Sequence, residues 1–138
     1  MKATKAEGGP GRRSRHEELE SVRHLIHVRA DPWLLADSRW CDAPFVVELA
    51  DTMFRNRTAS RPLALRHVLR RVLLQIAEDF SDTLTGRLAR LLAETDQRQS
   101  AIARQLGVSE TWLSKEYMRR IAALVLDALN RIKGSRLE

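Results

Sequence analysis

Residues 96–118 read DQRQSAIARQLGVSETWLSKEYM. Asp96, followed by Gln99 three residues later, is typical of a helix start, because the two side chains can form a capping box. Gly107 is suited to end that helix, since glycine adopts a positive φ without steric strain. Ser109 is then a typical N-cap for a second helix. The segment therefore predicts two short helices joined by a sharp turn.

Small and apolar side chains in this segment occupy the positions where two crossed helices would touch. Ala103 lies near the expected contact, where a larger side chain would push the helices apart. The apolar residues expected to face inward around it are Ile102, Leu106, Val108 and Leu113. Together with Gly107 and Ser109, this pattern resembles the helix-turn-helix motif of bacterial DNA-binding proteins. The stretch from Ser109 to Lys115 is similar to the transposase and partition-type versions, and the long continuation resembles region 4 of sigma factors.

The resemblance implies a set of DNA contacts. The second helix would enter the major groove with its N-terminal residues toward the base edges. The residues expected on that face, beginning with the base contacts, are Thr111, Ser114, Lys115, Glu110, Ser109 and Arg119. Phosphates would be held at the start of the first helix, by Gln97, Arg98, Gln99 and Ser100. Glu110 and Glu116 depart from the motif, because one brings negative charge toward DNA and the other is polar at a position that is often apolar.

The second helix is predicted to run on from Glu110 to Lys133, where Gly134 ends it. At a rise of about 1.5 Å per residue such a helix would be about 35 Å long. Residues 121–129 are apolar on nearly every side, so we expect this part to be buried on every side. Burial in the core of the same domain is favoured, and a homodimer formed through residues 118–132 is the alternative.

Upstream of this segment, residues 62–80 carry the clearest helical stripe, made of Leu65, Val68, Leu69, Val72, Leu73, Ile76 and Phe80. Ser81 is expected to cap a following helix over residues 84–92, in which Gly86 is a weak point. Three earlier helices are predicted, separated from the stripe by a loop at residues 56–62. They cover residues 15–29, a short stretch from Asp31-Pro32 through Leu35, and a stretch that starts at Asp42 and Pro44 and extends to Met53.

Length and composition support an all-α protein. The chain has 138 residues, about the length of one domain. Leucine outnumbers valine plus isoleucine by 20 to 13, and unbranched side chains favour helices. We therefore predict a multi-helix orthogonal bundle with a C-terminal helix-turn-helix and a long last helix. Its expected parts are a disordered basic arm (1–15), an N-terminal helical region (16–80) and the helix-turn-helix region (81–138), the latter two packed as one domain.

The positive charge is unevenly distributed. The net charge is +6, from 24 basic and 18 acidic residues. Residues 1–16 hold five bases and one acid, and residues 96–138 hold eight bases and five acids, whereas the region between them is nearly neutral. A basic arm and a basic C-terminal third attract polyanions, and double-stranded DNA is the expected partner. Arginine supplies 20 of the 24 bases, which a GC-rich genome would also produce.

Other classes of site lack support in the sequence. Cys41 is the only cysteine, which excludes an internal disulfide and a cysteine metal cluster. His24 and His27 are three residues apart with no second ligand pair, so no metal is expected. Glu78, Asp79 and Asp82 surround a helix end and are expected to be solvated. No catalytic triad order, phosphate-binding loop or dinucleotide fingerprint occurs, so neither a cofactor nor an enzymatic activity is expected.

Absence of a long apolar run or a signal sequence predicts a cytoplasmic protein. The sequence thus favours a sequence-specific DNA-binding transcriptional regulator that uses a helix-turn-helix. The alternative is a non-enzymatic helical adaptor whose helix-turn-helix docks on a protein, and residues 16–80, which resemble no known family, could hold a protein partner in either case. An RNA-binding subunit would need aromatic stacking surfaces, and the chain has one tyrosine and three phenylalanines.

Overall fold

The computed structural model describes residues 14–54 and 60–137, and their regular structure is entirely helical, which confirms the all-α class. The helices before the central turn are α1 (Arg15–His27), α2 (Pro32–Leu35), a 3-10 helix (Arg39–Asp42), α3 (Pro44–Phe54), α4 (Ser60–Asp79) and α5 (Leu84–Glu94). The remaining ones are α6 (Gln99–Leu106), α7 (Glu110–Trp112), a π-helix (Leu113–Met118) and α8 (Arg119–Leu137). The last three follow one another without a break.

Helix α1 begins within the segment that was predicted as an arm. Ser14 Oγ accepts a hydrogen bond from the Glu17 N–H at 3.1 Å, and the Glu17 carboxylate accepts one from the Ser14 N–H at 3.0 Å. This reciprocal pair is a capping box. Arg15 is the first helical residue, and its guanidinium lies 3.2 Å from the carboxylate of Asp127 in α8. Arg15, which falls in both the predicted arm (1–15) and the predicted helix (15–29), is therefore helical, and residues 1–13 lie outside the described part of the chain.

The short helices start at residues that only partly match the prediction. Asp31 caps α2, because its carboxylate accepts from the Trp33 N–H at 2.9 Å, and Pro32 follows at the first helical position, as predicted. Asp42, in contrast, does not start α3. It ends the 3-10 helix that Ser38 caps, and its carboxylate lies 3.3 Å from the guanidinium of Arg61.

Helices α4 and α5 form an antiparallel pair. The predicted stripe on α4 is buried at Leu65, Leu69, Val72, Leu73 and Ile76 and half-buried at Val68. Phe80 was predicted on this stripe, but it lies beyond the helix end and is 39% exposed. Residues 60–62, predicted as loop, form the first turn of α4, where proline is tolerated because the N–H that it lacks has no helical partner. Residues 56–59 of that predicted loop lie outside the described ranges.

The turn between α4 and α5 corrects two further predictions. Thr83, not Ser81, caps α5, because the Thr83 hydroxyl accepts from the Gly86 N–H at 3.1 Å. Gly86 is also more than a weak point of the helix. A Cβ at this position would lie 2.3 Å from the carbonyl oxygen of Phe80, so only glycine lets α5 approach the end of α4 this closely.

Helix α8 runs through the middle of the core. Ile121, Ala122, Val125, Leu126 and Leu129 are fully buried, and α8 contacts α1, α3 and α4. The prediction that residues 121–129 are core is confirmed for these five side chains. The predicted stop at Gly134 is wrong, because α8 continues to Leu137.

No helix in the described ranges is both long and apolar enough to cross a lipid bilayer.

Candidate nucleic-acid interface at the α6–α7 corner

The turn between α6 and α7 has the geometry that its glycine allows. Gly107 adopts a left-handed conformation, with φ 75° and ψ 29°. The Val108 N–H donates to the Ala103 carbonyl at 3.0 Å, and the Gly107 N–H donates to the Arg104 carbonyl at 3.2 Å. These two bonds make a Schellman motif, which satisfies carbonyls that the helix end would leave without partners.

The inner side of this corner is part of the protein core. Ile102 and Leu113 are fully buried, and Ala103 is 2% exposed. Leu106 and Val108 are half-buried and pack against the same core cluster. All five side chains thus lie on the inward side that the sequence predicted for them. These five side chains consequently attach the corner to the protein core, and its polar residues lie on the opposite, outer surface.

At the start of α7, one predicted contact residue is already engaged. Ser109 Oγ accepts a hydrogen bond from the Trp112 N–H at 3.1 Å, so its oxygen caps the helix as expected. Glu110 and Thr111 are exposed, as are Lys115 and Arg119 further along the chain.

The start of α6 differs from the prediction. Asp96 does not cap the helix: the N-cap position is Arg98, which makes no side-chain cap hydrogen bond, and the Asp96 carboxylate lies 3.4 Å from the guanidinium of Arg66 instead. The four predicted phosphate contacts nevertheless lie together at this helix end. Gln97, Arg98 and Ser100 are exposed, and Gln99 is half-buried.

A residue that the sequence did not single out, Arg29, fixes the chain just before α6. Its side chain is only 8% exposed, and it donates to four backbone carbonyls. The acceptors are Leu92 (2.7 Å), Gln97 (2.9 Å), Ile26 (3.1 Å) and Thr95 (3.1 Å). These bonds tie the end of α1 to the end of α5 and to the α5–α6 linker.

Electrostatic effects on Arg29 agree with this placement. Burial lowers the pKa of its guanidinium, the negative charge of Asp96 raises it, and the positive charge of Arg66 lowers it. An arginine remains charged in spite of such shifts. The sequence held no local signal for this role, because three of the four carbonyls are more than 60 residues away along the chain.

Ser114 was predicted to face outward, and the structure corrects this. Its hydroxyl oxygen accepts a hydrogen bond from the guanidinium of Arg23 in α1 at 3.0 Å, and the side chain is half-buried. Arg23 in turn lies 3.7 Å from the carboxylate of Glu20. Ser114 therefore faces α1 and does not belong to the exposed residues that were predicted to contact DNA bases.

The π-helix explains how the residues around Ser114 are arranged. Leu113 and Met118 are five residues apart, and both are buried. In a regular α-helix two such residues would be about 140° apart around the axis. The wider π turn brings both toward the core, and such turns occur frequently at functional sites. The spacing of five between these apolar residues was the sequence signal for this irregularity.

Two aromatic rings and an arginine form a cluster on the outer side of the π-helix. The rings of Trp112 and Tyr117 meet edge to face, with centroids 5.0 Å apart. The Arg120 guanidinium lies 5.1 Å from the Tyr117 ring centroid, in cation–π geometry. Trp112 packs on Tyr117 and remains 43% exposed.

Positive charge dominates this surface. Every charged side chain between residues 97 and 120 is exposed. The cations are Arg98, Arg104, Lys115, Arg119 and Arg120, and the anions are Glu110 and Glu116. Within the described ranges none of these cations forms an ion pair with an acid. Their charge is therefore available to an anionic partner.

Metal ligation has no comparable basis in the described ranges, since no three His, Cys, Asp or Glu side chains converge there in a way that could hold an ion. His24 and His27 are exposed on the last turn of α1. Comparison of the chain with protein-family models, with curated proteins and with solved structures finds no match.

Proposed function

We propose that this protein is a sequence-specific DNA-binding transcriptional regulator whose α7 and following π-helix lie in the major groove. The observation that carries the proposal is the Gly107 corner, which is anchored by buried Leu113 and leaves Thr111 and Lys115 exposed at the start of the second helix. A helix presented by its N-terminal residues is the arrangement by which such motifs contact base edges.

Phosphate contacts would come from both sides of the corner. Arg98 and Ser100 at the start of α6 can contact one strand, and backbone N–H groups at this helix end favour anions. Arg119, at the start of α8, can contact the phosphate backbone of DNA on the other side of the corner. Such contacts position a protein on the duplex without selecting a sequence.

Base recognition would fall to a smaller set of side chains. Lys115 suits the acceptors of guanine, Glu110 can accept from a cytosine amino group, and Thr111 can hydrogen-bond a base or contact a thymine methyl group. Ser114 is left out of this set because its oxygen already accepts from Arg23. Specificity is thus expected to depend on three residues of the second helix.

A homodimer would let two corners read two half-sites. The sequence placed the dimer contact on residues 118–132. In that stretch Met118, Ile121 and Val125 are buried within the monomer, whereas Ala128 and Ile132 are half-buried. A dimer contact would therefore involve the C-terminal end of α8.

Selection of bound sequences from a random duplex pool, followed by fluorescence anisotropy on the selected site, tests the proposal. Lys115→Ala and Thr111→Ala should each weaken specific binding by about 1–3 kcal/mol, because each removes a base contact. Lys133→Ala is the matched control, since Lys133 is also an exposed lysine but lies near the far end of α8. Equal affinities of all three variants and the parent chain would contradict the assignment of the recognition face.

The contribution of the N-terminal basic residues needs a separate measurement. Glutamine substitutions of Lys2, Lys5, Arg12 and Arg13 in the full chain remove four positive charges. Binding to the selected duplex should weaken and become less salt-dependent but should retain its sequence preference. A complete loss of sequence preference in this variant would mean that the corner does not read bases.

A second candidate function is that of a helical adaptor, which two exposed apolar side chains favour. Trp33 is 85% exposed and Leu34 is 46% exposed, and tryptophan is enriched at the centres of protein interfaces. The adaptor function predicts that no duplex is selected from the pool above and that Trp33→Ala abolishes binding to a protein partner. The regulator function predicts that Trp33→Ala leaves DNA affinity unchanged, since α2 lies outside the α6–α7 corner.

A further inference from the structure

A cavity of about 390 Å³ lies between α4 and α5, beside the linker that leads into α6. Its volume falls within the range of small-molecule sites, about 300–1,000 Å³. The exposed apolar side chains of its lining are Met53 (42%) and Leu63 (39%), whereas Leu69, Leu73 and Leu92, which also line it, are buried in the core cluster. The cavity thus offers a hydrophobic surface to a ligand that enters from the open side.

The rim of this cavity is basic. Arg66, His67 and Arg70 line it from adjacent turns of α4, and the buried Arg29 also belongs to its lining. Two carboxylates also line it, Glu94 and Asp96, but each is already paired: Glu94 lies 3.3 Å from Arg90 and Asp96 lies 3.4 Å from Arg66.

Arg70 is the rim cation with unused capacity. It is exposed, and it forms no ion pair or hydrogen bond with any residue of the described ranges. A charged group of opposite sign would therefore meet a donor for which no acceptor of the described residues competes. Charge-assisted hydrogen bonds of this kind are the stronger ones.

We infer that this cavity binds a small organic anion with an apolar body, such as an aliphatic or aromatic carboxylate. The carboxylate would lie at Arg70 and Arg66, and the apolar part would cover the exposed side chains of Met53 and Leu63. A purely inorganic anion would leave Met53 and Leu63 exposed to water, and a neutral apolar molecule would make no use of the charge of Arg70. The site does not depend on the DNA-binding proposal, because it lies on α4 and α5.

Asp96 gives the inference a distinctive consequence. Its carboxylate already contacts Arg66, so an incoming anion competes with it for the same guanidinium. Replacing Asp96 by asparagine should therefore strengthen anion binding. Loss of Arg70 should weaken it, so the two changes act in opposite directions.

The test is a fluorescence titration of the full chain with 8-anilinonaphthalene-1-sulfonate, an organic anion with an apolar body. Arg70→Gln should weaken its binding about tenfold, and Asp96→Asn should strengthen it severalfold. Arg71→Gln is the matched control, because Arg71 is the next residue on α4 but lines a different groove, with Val72 and Ile132. Its affinity for the dye should equal that of the parent chain.

The neutral dye N-phenyl-1-naphthylamine separates charge from hydrophobicity. Its affinity should be the same for the parent chain and Arg70→Gln, because it has no anionic group. The inference is overturned if Arg70→Gln leaves sulfonate binding unchanged, or if Arg71→Gln weakens it as much. It is also overturned if Asp96→Asn weakens sulfonate binding, since Asp96 would then support the site and not compete with the ligand.

Discussion

Two glycines in this protein are required for opposite reasons. Gly86, at the α4–α5 junction, has no room for a side chain, because a Cβ would lie 2.3 Å from the Phe80 carbonyl oxygen. Gly107, at the α6–α7 corner, has open space around it, with no atom within 4 Å of the position that a Cβ would take, but its φ is 75°. One glycine permits close packing, and the other permits a turn.

The difference extends to the regions that contain them. The two ends of α5 form an interior joint: Gly86 lets the start of α5 lie against the end of α4, and the buried Arg29 ties the end of α5 to the end of α1. The α6–α7 corner is anchored by a few buried side chains and keeps its polar residues in solvent. Substitutions at the joint should therefore lower the free energy of unfolding strongly. Substitutions of exposed residues at the corner should have small effects on it and should change binding to a partner instead.

The largest effect should come from Arg29→Met. The variant leaves four backbone carbonyls without their donor, and we expect the free energy of unfolding to fall by about 4 kcal/mol. Urea unfolding followed by circular dichroism measures it. Arg87→Met on the exposed side of α5 is the matched control and should change stability by less than about 0.5 kcal/mol. Equal stabilities of the two variants would show that Arg29 does not hold the joint.

Gly86→Ala should have the next largest effect. The added methyl group meets backbone atoms that cannot rotate away, so we expect a loss of about 2–3 kcal/mol in the same urea experiment. Gly134→Ala is the control, because Gly134 lies within α8 with no atom close to an added Cβ. Alanine favours the helix there and should raise stability by about 0.5–1 kcal/mol. A stabilising Gly86→Ala would contradict the close approach of α5 to α4.

Gly107→Ala should have the smallest effect. An alanine fits the space but must adopt a left-handed conformation, and this should reduce the free energy of unfolding by about 1–2 kcal/mol. Asparagine tolerates that conformation better, so Gly107→Asn should retain most of the stability. If alanine and asparagine proved equally destabilising, the corner would be limited by space and not by backbone conformation, and the contrast with Gly86 would disappear.

Local sequence signals identified several helix ends at which the deciding contact is close along the chain. Asp31 caps α2 through an N–H two residues away, and Gly107 ends α6 through carbonyls three and four residues before it. The same logic was wrong at Ser81 and Asp96. Either side chain is suited to cap a helix, but the chain turns at Asp82 with φ 69° and starts α5 after Thr83, whereas Asp96 pairs with Arg66.

The candidate interface was predicted in part. The inward residues of the corner followed from their spacing, because a helix repeats its faces every three or four residues. Ser114 could not be placed that way, since its donor, Arg23, is 91 residues away along the chain. Trp112 packs on Tyr117 because the π turn changes the direction of the side chains that follow Leu113, and that turn was not predicted.

By itself, the sequence determined the all-helical class, the apolar face of α4, the glycine turn at residue 107 and the burial of α8, because each depends on periodicity or on the backbone freedom of a single residue. Only the tertiary structure decided that Arg29 would bind three carbonyls more than 60 residues away, that Gly86 would lie against another helix, and that Arg70 would line a cavity without an ion pair to any described residue. These properties arise when helices distant in sequence come together. The free energy of such contacts depends on which groups meet across the core, and the spacing of residues along one segment does not encode it.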